Sequence, residues 1–296
     1  MSNAREIQSR INSVKDTMKI TNAMYMISSA KLKKARKDLE NTEPYFYALQ
    51  DAIVRVMKRI PDDIGLIYFD DKPEKINNRK KGYIVITGDK GLAGAYNHNV
   101  IKLIEEELKT EGEHVVFAVG QVGRSYFENK GISYDTDFKY TVQNPTMHRA
   151  RVISARIVQM YRQQELDEVY VIYTRMINKM ESQAEIQKIL PLTKADFRDE
   201  NDAGETQDET NYLPTPFDVL NNIVPNYVTG FIYGTLIQAY SSEQNARMMA
   251  MESATSNAKD MLKELSIIYN RVRQAAITQE IIEVISGSKA QKRKKL

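Results

Sequence analysis

A seven-residue repeat of apolar side chains runs through the first sixty residues of the sequence. Alternating steps of four and three residues lead from Ile7 to Ile60 through sixteen positions, of which twelve are plainly apolar. The exceptions are Thr21, Tyr25, Ser28 and Thr42. A repeat held over this length predicts a coiled-coil helix over residues 1–60, roughly 80 Å long. Because proline removes a backbone hydrogen bond and clashes with the preceding turn, Pro44 predicts a kink or break near residues 41–44.

A second long helical pattern closes the sequence. Residues 219–285 contain one proline, Pro225, and steps of three and four from Leu262 to Gln279 again meet mainly apolar side chains. Two long helices at opposite ends of one chain can pair antiparallel and cover each other's apolar stripe. The pattern therefore predicts an antiparallel two-helix coiled coil whose second helix spans residues 217–287. Two amphipathic helices packed on one globular core are the alternative.

The middle of the sequence alternates between β-branched runs and helical patterns. Four runs predict strands and a fifth, weaker run predicts another, at residues 82–89, 114–120, 168–176, 185–192 and, for the weak one, 132–138. Helical patterns lie at residues 97–109, 121–129 and about 145–164. This alternation favours a mostly parallel sheet covered by helices, in an α/β domain of residues 78–193. The acidic residues 194–216 are aperiodic and predict a linker to the second long helix.

A loop with three glycines follows the first predicted strand, at the place where α/β proteins usually hold phosphates. Gly88, Gly91 and Gly94 are spaced G-x-x-G-x-x-G, which matches neither the dinucleotide fingerprint nor the P-loop. Lys90 precedes the second glycine instead of following the last one. We therefore interpret the three residues as turn and close-packing glycines. An anion bound at the helix start near Asn97 stays the alternative.

Composition narrows the chemistry further. The chain has 42% hydrophobic and 27% charged residues, as a folded soluble protein does, and it lacks cysteine, which excludes disulfides and thiolate chemistry. His98, His114 and His148 are too far apart in sequence for a metal motif, and no nucleophile elbow occurs. No long apolar run predicts a membrane span, and the N-terminus lacks a targeting pattern. We expect no catalytic residue, no cofactor and no bound metal.

Basic side chains are concentrated on the two long helices, although the formal net charge is only +3. The first helix carries five of them within seven residues, namely Lys31, Lys33, Lys34, Arg36 and Lys37. The second helix carries Arg271 and Arg273. Most such runs form a solvated helix face. The functional alternative is a surface that faces an acidic protein partner or nucleic acid, and the lack of interleaved aromatic residues disfavours nucleic acid.

Three stretches of the sequence resemble one known family. Residues 241–288, "SSEQNARMMAMESATSNAKDMLKELSIIYNRVRQAAITQEIIEVISGS", closely resemble the signature of the gamma subunit of F-type ATP synthases. Residues 5–35 look like the first helix of that family, and residues 88–97, "GDKGLAGAYN", look like its "DRGLCG"-type loop. The resemblance implies an antiparallel coiled coil with an inserted Rossmann-like α/β domain, the fold class that the periodicity indicates independently.

The resemblance also implies a mechanical function. In this family the gamma subunit is the non-catalytic central shaft of the proton-translocating ATP synthase. Its coiled coil enters the ring of three alpha and three beta subunits, its foot sits on the membrane c-ring with the epsilon subunit, and the beta subunits make or hydrolyse ATP. The sequence suggests a bacterial enzyme on the cytoplasmic side of the cell membrane, with proton or sodium coupling left open. The alternatives are a nucleotide-binding α/β protein with coiled-coil arms and a basic coiled-coil adaptor.

The family motifs imply roles for individual residues. Arg273 and Gln274 match the pair that forms a polar catch with a beta-subunit loop. The residues matched to the coupling of rotation to catalysis are Met24, Arg247, Gln274, Thr278 and Glu283. The residues expected beside acidic beta-subunit loops are Lys31, Lys33, Lys34 and Arg36.

Two further segments bear on the resemblance. Tyr212 and Pro214 match the foot segment that contacts the c-ring and epsilon, although Leu213 replaces an acidic residue of the family pattern. Residues 288–296 continue past the usual end of the family as a tail with five basic residues. We expect this tail to be disordered or to emerge beyond the apolar sleeve that holds the helix tip.

Overall fold

A computed structural model describes residues 2–60, 67–69, 79–110, 112–178, 181–193 and 212–293. The chain forms two compact units, one of Met1–Ser28 with Met248–Leu296 and one of Ser29–Arg247. We call the first the coiled-coil unit and the second the α/β unit. Most of the predicted linker and the last three residues of the predicted tail lie outside the described residues.

Long helices begin and end the described chain. In chain order, the elements are α1 (Ser2–Met57), β1 (Lys81–Ile86), α2 (Tyr96–Glu107), β2 (His114–Val119), α3 (Gln121–Lys130), α4 (Met147–Arg162), β3 (Glu168–Met176), β4 (Ser182–Leu190) and α5 (Pro216–Arg293). The predicted fold class, two long terminal helices around a central α/β sheet, is confirmed. Helix α5 includes residues 288–293 of the predicted tail.

The coiled-coil unit pairs the first part of α1 with the last part of α5 in opposite directions. The hydroxyl oxygens of Thr21 and Thr255 lie 2.8 Å apart and show the register. Ile11 comes ten residues before Thr21, Leu265 comes ten residues after Thr255, and both are buried. Thr21 and Ser28, two of the non-apolar positions in the predicted stripe, are also buried. Their small side chains therefore lie in the seam between the helices.

The stripe predicted from the sequence is the buried side of α1 and of the turn that follows it. All sixteen positions from Ile7 to Ile60 are buried or half-buried. The predicted break at Pro44 is wrong, because α1 continues through it without interruption. Pro44 and Glu40 are both exposed, so water can bind the Glu40 carbonyl that the missing N–H leaves free.

Helix α5 extends past the end of its partner. In the register shown by the threonine pair, Ala4 lies opposite Val272, close to the start of α1. Gln279 is exposed, so the prediction that the seam continues to this residue is wrong. Residues 277–289 are all exposed, and they include an apolar row at every fourth position, formed by Ile277, Ile281 and Ile285. We call this segment the α5 tip.

The described strands of the α/β unit form one mixed sheet in the order β2-β1-β3-β4. Strand β1 is parallel to both neighbours, with Ile84 beside Phe117 on one side and Val171 on the other. Strand β4 is antiparallel to β3. Only residues 177–181 join these two strands, and a parallel pairing needs a much longer crossover connection.

The weak strand predicted at residues 132–138 does not form. This segment instead runs beside β2, where the Asp135 N–H donates a hydrogen bond of 2.9 Å to the Val116 carbonyl. The ring of Phe138 packs on that of Phe117, with 5.1 Å between the ring centroids. The apolar residues that suggested a strand therefore serve packing at the sheet edge.

Alternate residues of β1 point to opposite faces of the sheet, and each face has its own core. Ile84 and Ile86 pack in a cluster that includes residues of α1, α4 and α5. Tyr83 and Val85 pack in a second cluster with residues of α2 and α3. A strand buried on both faces must be nearly continuous in apolar residues, which explains the unbroken β1 run.

Replacing Ile153, a fully buried residue of α4, tests the larger core. Ile153→Ala is expected to lower the free energy of unfolding by about 2–5 kcal/mol, because it removes buried methyl groups and leaves a cavity. The exposed neighbour provides the control, and Val152→Ala is expected to change stability by less than about 0.5 kcal/mol. Denaturant unfolding followed by circular dichroism measures both, and equal losses would contradict the described packing of α4.

Candidate functional site

The Asp89 carboxylate, in the loop after β1, binds backbone N–H groups at the start of α3 and at residues 142–143. Asp89 accepts a hydrogen bond of 3.0 Å from the backbone N–H of Gln121 at the start of α3. It also accepts from the N–H groups of Val142 and Gln143, at 3.1 and 3.3 Å. Backbone N–H groups at this edge of an α/β sheet are those that usually bind phosphate. Here they already have an acceptor.

Helix α5 fills the space on the other side of the glycine loop. A Cβ placed on Gly88 would lie 3.1 Å from the Glu243 carboxyl group, so a side chain there would force that carboxyl group to move. The Gly88 N–H donates a hydrogen bond of 2.7 Å to the Asn97 side-chain oxygen. Gly94 has a φ of +55°, which favours glycine. Close packing and a turn thus explain Gly88 and Gly94, but Gly91 has open space and an ordinary φ, so that interpretation is wrong for Gly91.

Arg247 binds α5 to this loop. Its Nη2 atom lies 2.5 Å from Oε1 of Glu243, and it also donates to the carbonyls of Lys90 and Gly91, at 3.3 and 3.2 Å. Glu243 is only 2% exposed. Burial raises the pKa of the Glu243 carboxyl, Arg247 opposes that rise, and the nearby Asp89 adds to it. The pair is a buried contact between α5 and the loop.

Internal contacts hold one side of the loop, whereas Lys90, Gly91 and Leu92 are exposed. The Asn97 side-chain oxygen accepts a hydrogen bond from the loop. The alternative of an anion at the start of α2 stays a prediction.

The sequence analysis missed Asp89 and Glu243. A signal for Glu243 is its position four residues before Arg247, one helical turn away. Glu243 and Arg247 contact a loop that lies far earlier in the chain, and no sequence pattern predicts such a contact.

The residues matched to the polar catch lie on the last part of α5, in the coiled-coil unit. Arg273, Gln274, Thr278 and Glu283 are all exposed. The Thr278 hydroxyl donates to the Gln274 carbonyl at 2.9 Å, and the Glu283 carboxylate accepts from the Gln279 side chain at 2.9 Å. These contacts stay within one helix. The side chains of Arg273 and Gln274 are thus available to a partner.

Met24 is half-buried in the coiled-coil unit, away from the catch residues. In the register of the threonine pair it lies opposite Glu252. Gln274 is 22 residues further along α5, which corresponds to about 33 Å at the helical rise of 1.5 Å per residue. Met24 and Gln274 therefore do not meet, and Arg247 contacts the glycine loop. Within the coiled-coil unit, the two matched residues Met24 and Gln274 therefore belong to separate sites.

The basic residues of α1 in the α/β unit divide into two groups. Lys31, Lys33 and Lys34 are exposed. Arg36 is half-buried, and its Nη2 atom lies 3.0 Å from the sulfur of Met176 at the end of β3. Together with Lys37, which is also exposed, the three lysines form the positively charged surface, whereas Arg36 packs against the sheet.

The residues matched to the foot precede α5. Tyr212 packs against the larger core, whereas Pro214 is exposed and Leu213 is 84% exposed. The Thr215 hydroxyl accepts a hydrogen bond of 3.1 Å from the Asp218 N–H and caps the helix. Leu213 and Pro214 lie between Tyr212 and the cap, and both face solvent. The sequence analysis noted only that Leu213 replaces an acidic residue of the family pattern. It did not predict that the Leu213 side chain is exposed.

Two findings concern the described residues as a whole. No group of three or more potential metal-ligating side chains occurs among them. No helix in the same part of the chain is long and apolar enough to cross a bilayer.

Known proteins match the chain over most of its length. The family model described as ATP synthase matches residues 3–290. The ATP synthase gamma chain of Ruminiclostridium cellulolyticum is 45% identical over 291 residues, which cover 97% of this chain and 98% of the relative. The sodium ion specific ATP synthase gamma chain of Acetobacterium woodii is 38% identical over 302 residues, with coverage of 97% and 98%. A chain of the Euglena gracilis mitochondrial ATP synthase matches in structure with a TM-score of 0.64 at 17% identity, covering 98% of this chain and 95% of that one.

The paired terminal helices and the inserted sheet define a class of protein. It is a coiled-coil protein with an α/β domain whose exposed residues suit contact with partners. The family model and the relatives narrow this class, because both extend over nearly the whole sequence. The chain belongs to the ATP synthase family, among its gamma chains, as the resemblance predicted.

Removing Arg247 tests the contact between α5 and the glycine loop. Arg247→Met is expected to lower the free energy of unfolding by about 3–5 kcal/mol, because it leaves a buried carboxyl without its cation. Adding Glu243→Gln to that variant is expected to restore part of the loss. Urea unfolding at neutral pH measures the three proteins. A double variant no more stable than Arg247→Met would show that the two side chains are not coupled.

The raised pKa of Glu243 predicts a dependence of stability on pH. The folded chain holds this proton to a higher pH than the unfolded chain does, so the contribution is complete below the ordinary pKa of 4.5. It is lost as pH rises through the raised value. Between about pH 4 and about pH 8, Glu243→Gln is expected to lose less stability than the original chain. Unfolding free energies measured across this range check the result, and identical slopes would contradict it.

Proposed function

We propose that this chain is the gamma subunit, the central rotor shaft, of a bacterial F-type ATP synthase. It couples rotation of the membrane c-ring to ATP synthesis or hydrolysis at the beta subunits and carries no catalytic residue itself. The observation that supports this most directly is the family match, which includes both helices of the coiled coil and the sheet between them. The contacts around the glycine loop support a non-catalytic role, because the Asp89 carboxylate accepts from the nearby N–H groups of Gln121 and Val142, and the Glu243 carboxyl group lies against Gly88.

A shaft acts on its partners through the chemical difference between its sides. In the α/β unit, Lys31, Lys33 and Lys34 present positive charge. In the coiled-coil unit, Ile20 and Ile27 present apolar surface to solvent. A partner's conformational equilibrium shifts only if the shaft binds its states with different affinity. Turning an asymmetric shaft gives each beta subunit a different contact, and therefore a different affinity for nucleotide.

The residues matched to the family act in separate places in this proposal. Arg273 and Gln274 form the polar catch with a beta-subunit loop, and Thr278 continues the same exposed part of α5. Glu283 belongs to the α5 tip, and Met24 acts from α1. Arg247 contributes by holding α5 to the glycine loop of the α/β unit. The support for these roles is the position and exposure of each side chain.

The α5 tip fits an end of the shaft that partner subunits enclose. Ile277, Ile281 and Ile285 form an apolar row on a helix with no partner among the described residues of α1. Moving such a row from water into an apolar sleeve is favourable. The ring of alpha and beta subunits provides the sleeve in this proposal.

The segment before α5 fits the opposite end of the shaft. Leu213 and Pro214 are exposed beside the capped start of α5, and the preceding Tyr212 packs against the core. We assign them to contacts with the c-ring and the epsilon subunit. The chain is then peripheral to the cell membrane, on its cytoplasmic side. The structural relative from Euglena gracilis supports this assignment, because it was determined in an assembly that contains a c-ring.

Assembly with cognate alpha and beta subunits tests the proposed function. The full chain is expected to form a complex that hydrolyses ATP and in which a bead attached to the α/β unit rotates. Hydrolysis without rotation would contradict the shaft function. Equilibrium dialysis of the isolated chain against ATP tests the alternative of a nucleotide-binding protein, which micromolar binding would favour.

The polar catch is tested by a double substitution on α5. Arg273→Ala with Gln274→Ala is expected to lower ATP-driven ion pumping relative to ATP hydrolysis by roughly tenfold, because charge-assisted hydrogen bonds to the beta subunit are lost. Arg271→Ala removes a neighbouring exposed charge of the same helix and serves as the control. It is expected to leave the ratio unchanged. An equal effect of both variants would mean that charge on α5 matters and the catch does not.

A further inference from the structure

A partly open cavity of about 160 Å³ lies within the α/β unit, between α1, α5 and the sheet. Five aromatic residues line it, namely Phe46 and Tyr47 of α1, Tyr173 of β3, and Phe231 and Tyr233 of α5. The ring centroid of Phe46 lies 6.2 Å from that of Tyr47 and 6.3 Å from that of Phe231, so three of these rings adjoin one another. None of the five residues belongs to the partner surfaces assigned above.

Two glycines of α5 also line the cavity. A Cβ on Gly230 would lie 3.1 Å from the Phe46 ring, so this glycine makes room for the ring. A Cβ on Gly234 would meet no atom within 4 Å. Glycine is unfavourable inside a helix, and at Gly234 no close contact within the chain accounts for it. The helix therefore leaves space beside Gly234 that the chain does not fill.

One carboxylate lies at the open side of this cavity. Glu43 of α1 is the only charged residue among the described residues that line it. Its side chain forms no hydrogen bond or ion pair within the described part of the chain. Glu43 and Tyr47 are both exposed and lie one helical turn apart, on the same side of α1. The described lining therefore combines aromatic walls with one negative charge and no basic side chain.

We propose that this cavity binds a small quaternary ammonium ion, such as free choline. The methyl groups of such an ion bury apolar surface against aromatic walls, and its positive charge is attracted by aromatic rings and by the Glu43 carboxylate. A neutral molecule of the same shape fits the same walls but gains nothing from the carboxylate. The volume is close to that of a protein cavity of about 150 Å³ that binds benzene, so one small ion fits.

Two probes of nearly equal shape test the proposal on the full chain, without its partners, so the result does not depend on the rotor function. One is choline, and the other is its neutral carbon analogue, in which a tert-butyl group replaces the trimethylammonium group. Isothermal titration calorimetry is expected to show choline binding, with the neutral analogue roughly five- to tenfold weaker. Failure of choline to bind at millimolar concentration would overturn the proposal. Equal binding of the two probes would overturn the assignment of a cation.

Two exposed tyrosines of α1 locate the site. Tyr47 lines the cavity, whereas Tyr45 does not, and their side chains are 57% and 51% exposed. Tyr47→Ala is expected to weaken choline binding roughly fivefold, because one aromatic wall is lost. Tyr45→Ala makes the same change outside the cavity and is expected to leave the affinity unchanged. Both variants are expected to fold, since neither side chain is buried, and equal choline affinities in the two would contradict the location of the site.

A second pair of variants tests the charge. Glu43→Gln conserves the shape of the side chain and removes its charge, and it is expected to weaken choline binding roughly threefold while the neutral analogue binds as before. Glu40→Gln removes an exposed carboxylate one turn earlier on α1, outside the cavity lining, and serves as the control. It is expected to leave the affinity for both probes unchanged. Undiminished choline binding by Glu43→Gln would overturn the role of the carboxylate.

Discussion

The structure depends on the burial of two apolar stripes that neither long helix can cover alone. In the coiled-coil unit α1 and α5 cover each other, and the hydroxyl pair of Thr21 and Thr255 marks their register. In the α/β unit the sheet is the partner, since its larger core contains Ile53 of α1 and Val228 of α5. Bringing the two ends of the chain together in this way makes the sheet an insertion between them.

Features that repeat within one segment could be predicted from the sequence. Burial along α1 follows a seven-residue period, and buried strands are continuous apolar runs, so local composition was enough for both. The errors arose where the outcome depends on a distant part of the chain. Pro44 is tolerated because its side of the helix faces water, residues 132–138 pack without forming a strand, and the apolar pattern near Gln279 continues beyond the available length of α1.

The candidate site divides in the same way. Family motifs located Arg247, Arg273 and Gln274, but they did not show that the first of these contacts a loop and the other two face solvent. Asp89 looks like an ordinary loop acid in the sequence. Only the fold brings the N–H groups of Gln121 and Val142 to it. The Asp89 carboxylate thereby accepts hydrogen bonds at the edge of the sheet where nucleotide-binding folds usually hold a phosphate. These hydrogen bonds connect the loop after β1 to α3 and to Val142.

The α5 tip also bears on how a cell handles the chain before it meets its partners. A newly made copy carries its apolar row into water on a helix that nothing else in the described chain covers. Surfaces of this kind promote aggregation, and chaperones and proteases act on proteins that expose them. The exposed row therefore makes the unassembled chain a target for aggregation and proteolysis until a partner covers it.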